Sequence, residues 1–221
     1  MKAEKDLGYS AGVCVVGPVS VGKTSIIRRV EAEVRGGVPD NVQPSLMAEL
    51  TKLQLSAGGG RSLWLTITDT PGMKRLFHAL PANILRNQCA YLIVFDLTDR
   101  DTFNDIREWF QPISEVAPNF AEIVLVGNKV DRDEAERKVS RAEAEEVAKL
   151  MNARYIETSS KTGQNIMSLF EGIAHNISKK VEFGTLRIDD PLNGIRVESK
   201  PRRASNVKTY KKATPSGGCC T

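Results

Sequence analysis

Short apolar runs alternate with amphipathic stretches along most of this chain. "AGVCVVG", residues 11–17, is rich in valine and ends at glycine, which marks a buried strand. "GKTSIIRRVEAEVR" follows as a helix, and "GGVPD" ends it. "MAELTKLQLSA" and "RSLWLTITD" predict two strands joined by the glycine hairpin "GGG". "CAYLIVFDLTD", "AEIVLVGNKVD" and the shorter "ARYIETSS" predict three more. Helices are expected between them at about residues 79–88, 102–116, 140–151 and 164–181, with Thr102 and Ser140 as candidate caps. Strands alternating with helices imply an α/β fold: a mostly parallel six-stranded sheet covered by helices on both faces. Ligands in such sheets bind at the carboxyl ends of the strands.

The periodicity sets the expected boundaries. Residues 1–10 read as an N-terminal extension, 11–183 as one domain, and 184–221 as a disordered tail rich in Gly, Pro, Ser and charge. The chain has 221 residues, enough for one domain with a sizeable core. Charge separates tail from body. The net charge is +4, but Gly184 to Thr221 holds eight basic and three acidic residues, so the preceding part sums to −1. That excludes a basic, nucleic-acid-binding body and suits a tail that meets an acidic surface such as a membrane. The start "MKAEKDLGYS" has no signal-peptide core and no run reaches membrane-span length, so a cytosolic chain is expected. Cys14 and Cys89 lie in or beside apolar runs and read as small core residues, whereas Cys219 and Cys220 are adjacent near the end.

The motifs all sit at expected strand ends. "GPVSVGKT", Gly17 to Thr24, matches G-x-x-x-x-G-K-[ST] between a strand and a helix. Glycines let such a loop wrap closely, and the N–H groups of Val19, Ser20, Val21, Gly22, Lys23, Thr24 and Ser25 can face phosphate oxygens at a helix N-terminus. Lys23 can reach the β- and γ-phosphates, and the Thr24 hydroxyl can ligate Mg²⁺. "NKVD", Asn128 to Asp131, ends a later strand. The Asp131 carboxylate can accept both the ring N–H and the exocyclic amine of guanine, a donor pair that adenine lacks. Asn128 can brace the loop, and Lys129 can lay its stem on the ring. "TSSK", Thr158 to Lys161, follows the last strand and can turn N–H groups toward the base oxygen.

With these motifs the chain resembles the Ras-like small GTPases, and most nearly their Rab branch. "YLIVFDLTDRDTFNDIREWF", "YIETSSKTGQNI" and the double-cysteine end are similar to that branch's segments, and the resemblance covers about residues 10–181 and the extreme C-terminus. It implies a single P-loop GTPase domain that switches between GTP and GDP with Mg²⁺ and hydrolyses GTP to GDP and phosphate. It further implies recruitment of effectors to an intracellular membrane in vesicle trafficking. The expected partners are effectors, an exchange factor and an activating protein through two switches, with prenylation and membrane-extraction machinery through the tail. A monomer without nucleic acid is expected, in the cytosol and on the cytosolic face of the membrane. The resemblance assigns Lys23 and Thr24 to phosphate and Mg²⁺, and Ser45 to the first-switch hydroxyl that binds Mg²⁺ and γ-phosphate. It assigns Asp69 to a Mg²⁺-bound water and the Gly72 N–H to sensing γ-phosphate. Asn128, Lys129, Asp131, Ser159, Ser160 and Lys161 fall on the guanine site.

The chain departs from the family pattern at telling places. "DTPGM", residues 69–73, carries Met73 where the family has the glutamine that holds the attacking water. A thioether neither donates nor strongly accepts a hydrogen bond. Pro71 stiffens the turn and leaves Gly72 free to donate. His78, the nearest histidine, lies five residues beyond Met73 and reads as a switch-surface residue rather than a water-orienting group. Val19 places a β-branched side chain where a small residue is usual, crowding the γ-phosphate and any incoming arginine. No Phe, Tyr or Trp occurs between Tyr9 and Trp64, so the guanine lacks the family's aromatic cover and faster exchange is expected. Thr68 stands where tryptophan is usual, and Trp64 is expected to pack within its strand. Glutamine-bearing Ras hydrolyses GTP alone at about 10⁻⁴ s⁻¹, so slower turnover is expected here. The other readings are a recruitment module that binds GTP and hardly hydrolyses it, and an unrelated phosphate-loop enzyme such as a nucleotide kinase. "NKVD" and "TSSK" speak against the second.

The end "GGCCT" fits the branch's C-C-x ending, with Cys219 and Cys220 as geranylgeranyl acceptors. Two lipid chains hold stably where one does not. "KPRRASNVKTYKK", Lys200 to Lys212, has six basic and no acidic residues and suits an anionic leaflet.

Overall fold

In the computed structural model, which describes residues 5–37, 48–79, 82–190 and 192–197, the expected alternation of strands and helices forms a doubly covered sheet. The strands are β1 (Lys5–Val16), β2 (Glu49–Gly58), β3 (Arg61–Asp69), β4 (Ala90–Asp96), β5 (Glu122–Asn128), β6 (Arg154–Thr158) and β7 (Ile195–Val197). The helices are α1 (Lys23–Arg35), α2 (Lys74–His78), α3 (Ala82–Leu85), α4 (Arg100–Asn104), α5 (Ile106–Val116), α6 (Arg141–Leu150) and α7 (Ile166–Glu182). The order across the sheet is β2-β3-β1-β4-β5-β6, with β7 added beside β1. β1 pairs in parallel with β3 and β4, and β5 in parallel with β4 and β6; β2 and β7 run antiparallel to their partners.

The period of two along each strand builds two cores. Val13, Val15, Leu92 and Val94 face Ile26 and Val30 of α1 and Leu169, Phe170 and Ile173 of α7 in one cluster. Cys14, Val16, Tyr91, Ile93 and Phe95 face Ile106, Trp109 and Ile113 of α5 and Ala144 and Ala148 of α6 in the other. Cys14 and Cys89 are buried, as expected. Ser140 caps α6 in a full capping box with Glu143. Thr102 does not cap: it lies inside α4, whose cap is Asp99, and its hydroxyl donates to the Asp99 carbonyl.

Four expectations are corrected. The helix expected at about 79–88 is replaced by the short α2 and α3, between which the sequence places Pro81, a residue that lacks the N–H a helix needs. The helix at 102–116 is two pieces that meet at Asp105. The first strand starts at Lys5, so the 1–10 extension belongs partly to the sheet. A bulge around Gly8 (φ 74°) resets its register, and Trp64 Nε1 donates to Asp6 Oδ2 at 3.2 Å. Finally, the sheet has seven strands, because the expected disordered tail folds back over its first residues. Leu186 and Ile195 are buried in the core with Tyr9 and Cys89.

This strap is fastened by specific groups. Asn193 is buried; its amide donates to the Arg187 carbonyl, its Oδ1 accepts from Ile195 N at 3.0 Å, and its carbonyl accepts the Cys89 thiol at 3.3 Å. Gly12 N donates to Gly194 O at 3.0 Å. Gly194 has φ +77°, and a Cβ there would lie 2.2 Å from the Asn87 carbonyl oxygen. Gly194→Val therefore undocks residues 186–197. Losing the burial of Leu186 and Ile195 lowers stability by about 3 kcal/mol, or about 6–12 °C in a domain of this size. Hydrogen exchange across residues 186–197 and a thermal melt check this; full protection in the variant would contradict it.

Candidate nucleotide site

β1 delivers the phosphate loop in strained backbone: Ser20 has φ 65° and Gly22 φ 98°. A Cβ on Gly17 would lie 2.2 Å from the Val94 carbonyl oxygen, and one on Gly22 2.3 Å from Asn128 Nδ2. The loop opens directly into α1, whose first residues are Lys23, Thr24 and Ser25, so free N–H groups and the positive end of the helix point the same way. Lys23 is buried, and its ammonium donates to the carbonyls of Gly17 (2.8 Å) and Pro18 (2.7 Å). Burial lowers its pKa to about 8, against the opposing pull of Asp69.

Thr24 Oγ1 donates to Asp69 Oδ2 at 2.5 Å. Burial raises the Asp69 carboxyl above its ordinary value, although the Thr24 bond and the Lys23 charge act the other way. The second oxygen, Asp69 Oδ1, is buried and has no hydrogen-bond partner. A hydroxyl beside a carboxylate with one unpartnered oxygen is a donor set for a hard divalent cation and its water, so these residues fit Mg²⁺. Ser45, the third expected donor, lies outside the described residues.

The turn after β3 is clamped before it reaches the phosphate loop. Thr70 donates both its hydroxyl (2.8 Å) and its N–H (3.3 Å) to the Val15 carbonyl. Gly72 then passes so close that a Cβ on it would stand 2.7 Å from Lys23 Nζ and from Val19 N and Cα. Val19 is 45% exposed and Met73 is 50% exposed. Met73 begins α2 without a side-chain cap, and its thioether carries no hydrogen bond. His78 is turned away from this turn, in keeping with the surface role expected of it: it lines a cavity of about 330 Å³ with Glu108, Gln111, Pro112 and Glu115 of α5. The packing of Phe77 on Trp109 (ring centroids 4.7 Å apart) and of Lys74 on Asp105 and Glu108 (both 2.8 Å) fixes that orientation of α2. Trp64 does more than pack within its strand; the Lys52 ammonium lies 5.3 Å from its ring centroid.

The base motifs meet at the ends of β5 and β6. Asn128 is fully buried; its Nδ2 donates to the Val21 carbonyl at 2.8 Å, and its Oδ1 accepts from Thr158 Oγ1 and Ser160 N, both at 3.2 Å. Ser159 Oγ donates to Asp131 Oδ1 at 2.5 Å. Lys129 has φ 70° and its ammonium pairs with Asp96 Oδ2 at 2.6 Å. Lys161 is exposed at the rim. Sequence reasoning missed Asp96, which also accepts from Thr98 N (2.9 Å) and Thr98 Oγ1 (2.8 Å). Its signal was a carboxylate closing the otherwise apolar run "YLIVF" at a strand's carboxyl end.

A sequence model of the Ras family matches residues 12–179. The chain belongs to the Ras family. Mouse Rab-21 is 32% identical over 96% of this chain and 92% of its own length. Mouse Rab-42 is 30% identical over 96% of both chains, and Arabidopsis thaliana RABE1e is 28% identical over 100% of this chain and 96% of its own. This Ras-family chain is thus a divergent Rab, and the site just described occupies the matched segment. Ras-family small GTPases hydrolyse GTP and bind GTP or GDP with Mg²⁺.

Asn128→Ala would leave the Val21 carbonyl, Thr158 and Ser160 short of a partner at once. A loss of about 3 kcal/mol is expected, with nucleotide affinity falling about a hundredfold as the phosphate loop and base loop separate. Calorimetric GDP titration and a thermal melt check this, and an unchanged affinity would refute the bracing role.

Proposed function

We propose that this Rab-type protein is a GTP/GDP switch of vesicle trafficking that hydrolyses GTP slowly on its own. It would work from the cytosolic face of an intracellular membrane through lipids on Cys219 and Cys220. The observation that carries the slow-hydrolysis reading is the exposed Met73 thioether beside Gly72, with His78 turned onto α5.

Each residue then has a physical task. The loop N–H groups and Lys23 offset phosphate charge and hold the γ-phosphate in place, which is most of what phosphoryl transfer asks of a protein. Thr24, Ser45 and, through water, Asp69 would hold Mg²⁺, which neutralises charge developing between the β- and γ-phosphates when bound. Asp131, oriented by Ser159, accepts the donor edge of guanine, while the Lys129 stem, tethered at its tip by Asp96, covers the ring. Gly72 reports the γ-phosphate through its N–H. Nothing at Met73 orients a water, and Val19 crowds the route by which a partner's arginine would enter. GTP therefore persists until an activating protein supplies the missing group. The Cys219–Cys220 pair beyond the basic run supplies the two-chain anchor that stable membrane residence needs. No helix among the described residues is long and apolar enough to cross a membrane.

Single-turnover GTP hydrolysis on the Mg²⁺-loaded protein tests the reading. The expected rate is below ~10⁻⁴ s⁻¹, rising at least about tenfold in Met73→Gln. A wild-type rate at or above that level, unchanged in Met73→Gln, would sink it. A wild type with no measurable turnover and no rescue favours the pure recruitment module. ATP binding as tight as GTP binding would revive the unrelated phosphate-loop enzyme.

A further inference from the structure

The exposed apolar side chains are unevenly placed. Among the described residues, Val19, Leu50 and Met73 lie at the switch end, and Val34 and Leu150 (83% exposed) near the ends of α1 and α6, while Phe183 (77%), Ile188, Leu192 (68%) and Val197 (66%) crowd into residues 183–197, from the end of α7 through the strap. The strap is not loosely held, because Asn193, Gly194, Leu186 and Ile195 fasten it between these exposed positions. Its backbone is therefore fixed while its apolar side chains face outward.

Phe183, Leu192 and Val197 sit at one pole. Val197 pairs with Tyr9, near the start of β1. Phe183 lines a cavity of about 600 Å³ with Glu122 and Arg154, the first residues of β5 and β6, and with Lys179 and Lys180. Leu192 precedes Asn193, whose carbonyl takes the Cys89 thiol just before β4. The nucleotide motifs occupy the opposite ends of these same strands. Beyond Val197 the sequence continues through the basic run Lys200–Lys212, and twenty-one residues separate Val197 from Cys219. A lipid on Cys219 would join the described part of the molecule at Val197, on this pole.

We propose that the strap is a bilayer-contact surface for membranes containing anionic phospholipid. Phe183, Leu192 and Val197 enter the interface, where amphipathic segments bury apolar side chains. Lys179, exposed beside Phe183, meets the headgroups, whose negative surface potential attracts it. The orientation rests on the reading of Cys219 and Cys220 as lipid acceptors; the contact itself does not require the lipid. The surface holds the nucleotide pole away from the membrane, with both switches open to soluble partners.

The test uses the full chain with Cys219→Ser and Cys220→Ser, and vesicles of phosphatidylcholine and phosphatidylserine. Phe183→Trp in that background is expected to be quenched by brominated acyl chains. Phe183→Ser with Leu192→Ser is expected to lower vesicle partition about tenfold at physiological salt, with GDP affinity unchanged. Absence of partition, absence of quenching, or partition indifferent to the serine pair would overturn the proposal; the last would leave the basic run as the sole contact. GDP binding is read on the same sample, so loss of vesicle contact with intact GDP binding refutes this surface and not the GTP-switch reading.

Discussion

Asn128 holds the two halves of the site together. A phosphate loop and a base-binding loop lie on different strands, more than a hundred residues apart in sequence, yet one nucleotide must touch both. The Asn128 amide solves this with its donor on Val21 and its acceptor on Thr158 and Ser160. The bonds to Val21 and Thr158 are buried and that to Ser160 partly so, and in burial leaving a polar group unpaired costs more than making the bond returns. The amide is therefore held to one orientation, and the distance between loops is fixed by its own covalent length. Gly22 belongs to the same constraint: it must lack a Cβ because Asn128 Nδ2 stands where that atom would be.

The strained residues follow from this brace. Ser20, Gly22 and Lys129 all adopt left-handed backbone at the carboxyl end of the sheet. Such conformations persist only where surrounding contacts over-determine them. For Lys129 the contact is Asp96, whose carboxylate is itself gripped by Thr98, so the lysine stem is tethered at its tip rather than waving in solvent. For the turn after β3 it is Thr70, which fastens the start of the second switch to β1 before the chain becomes free to respond at Gly72. The clamp ends two residues before Gly72, the proposed sensor. Movement there would pass to α2, whose Phe77 and Lys74 lean on Trp109, Asp105 and Glu108, rather than into the strand.

Most of the fold was legible because its residues obey simple periods. "RSLWLTITD" alternates and became β3 with the boundaries expected from its sequence; the wholly apolar runs became the doubly covered β4 and β5. The phosphate loop and "NKVD" were legible because their chemistry dictates residue types at fixed spacing. The strap was not. "GTLRIDDPLNGIRV" has the composition of a disordered segment, and its fastening depends on single residues, Asn193 and Gly194, that meet Arg187, Asn87 and Cys89 only after the sheet exists. The short α2 and α3 were missed for a similar reason: of the described residues there, Phe77 and Leu85 join the cluster with α5, too few to make a helical stripe. Asp96 was passed over because a lone carboxylate at a strand end has no motif around it.

The fold separates two apolar surfaces by the length of its strands. Parallel β1, β4, β5 and β6 all point their carboxyl ends at the nucleotide motifs, which leaves their starts to the strap. The proposed switch surface must be free to change with γ-phosphate; the proposed bilayer contact must keep its shape. The two demands conflict in one place and are compatible at opposite ends of a stiff sheet. The strap's fastening through buried Asn193 and Gly194, set against the unbonded, half-exposed Met73 at the switch, is that division written in side-chain chemistry.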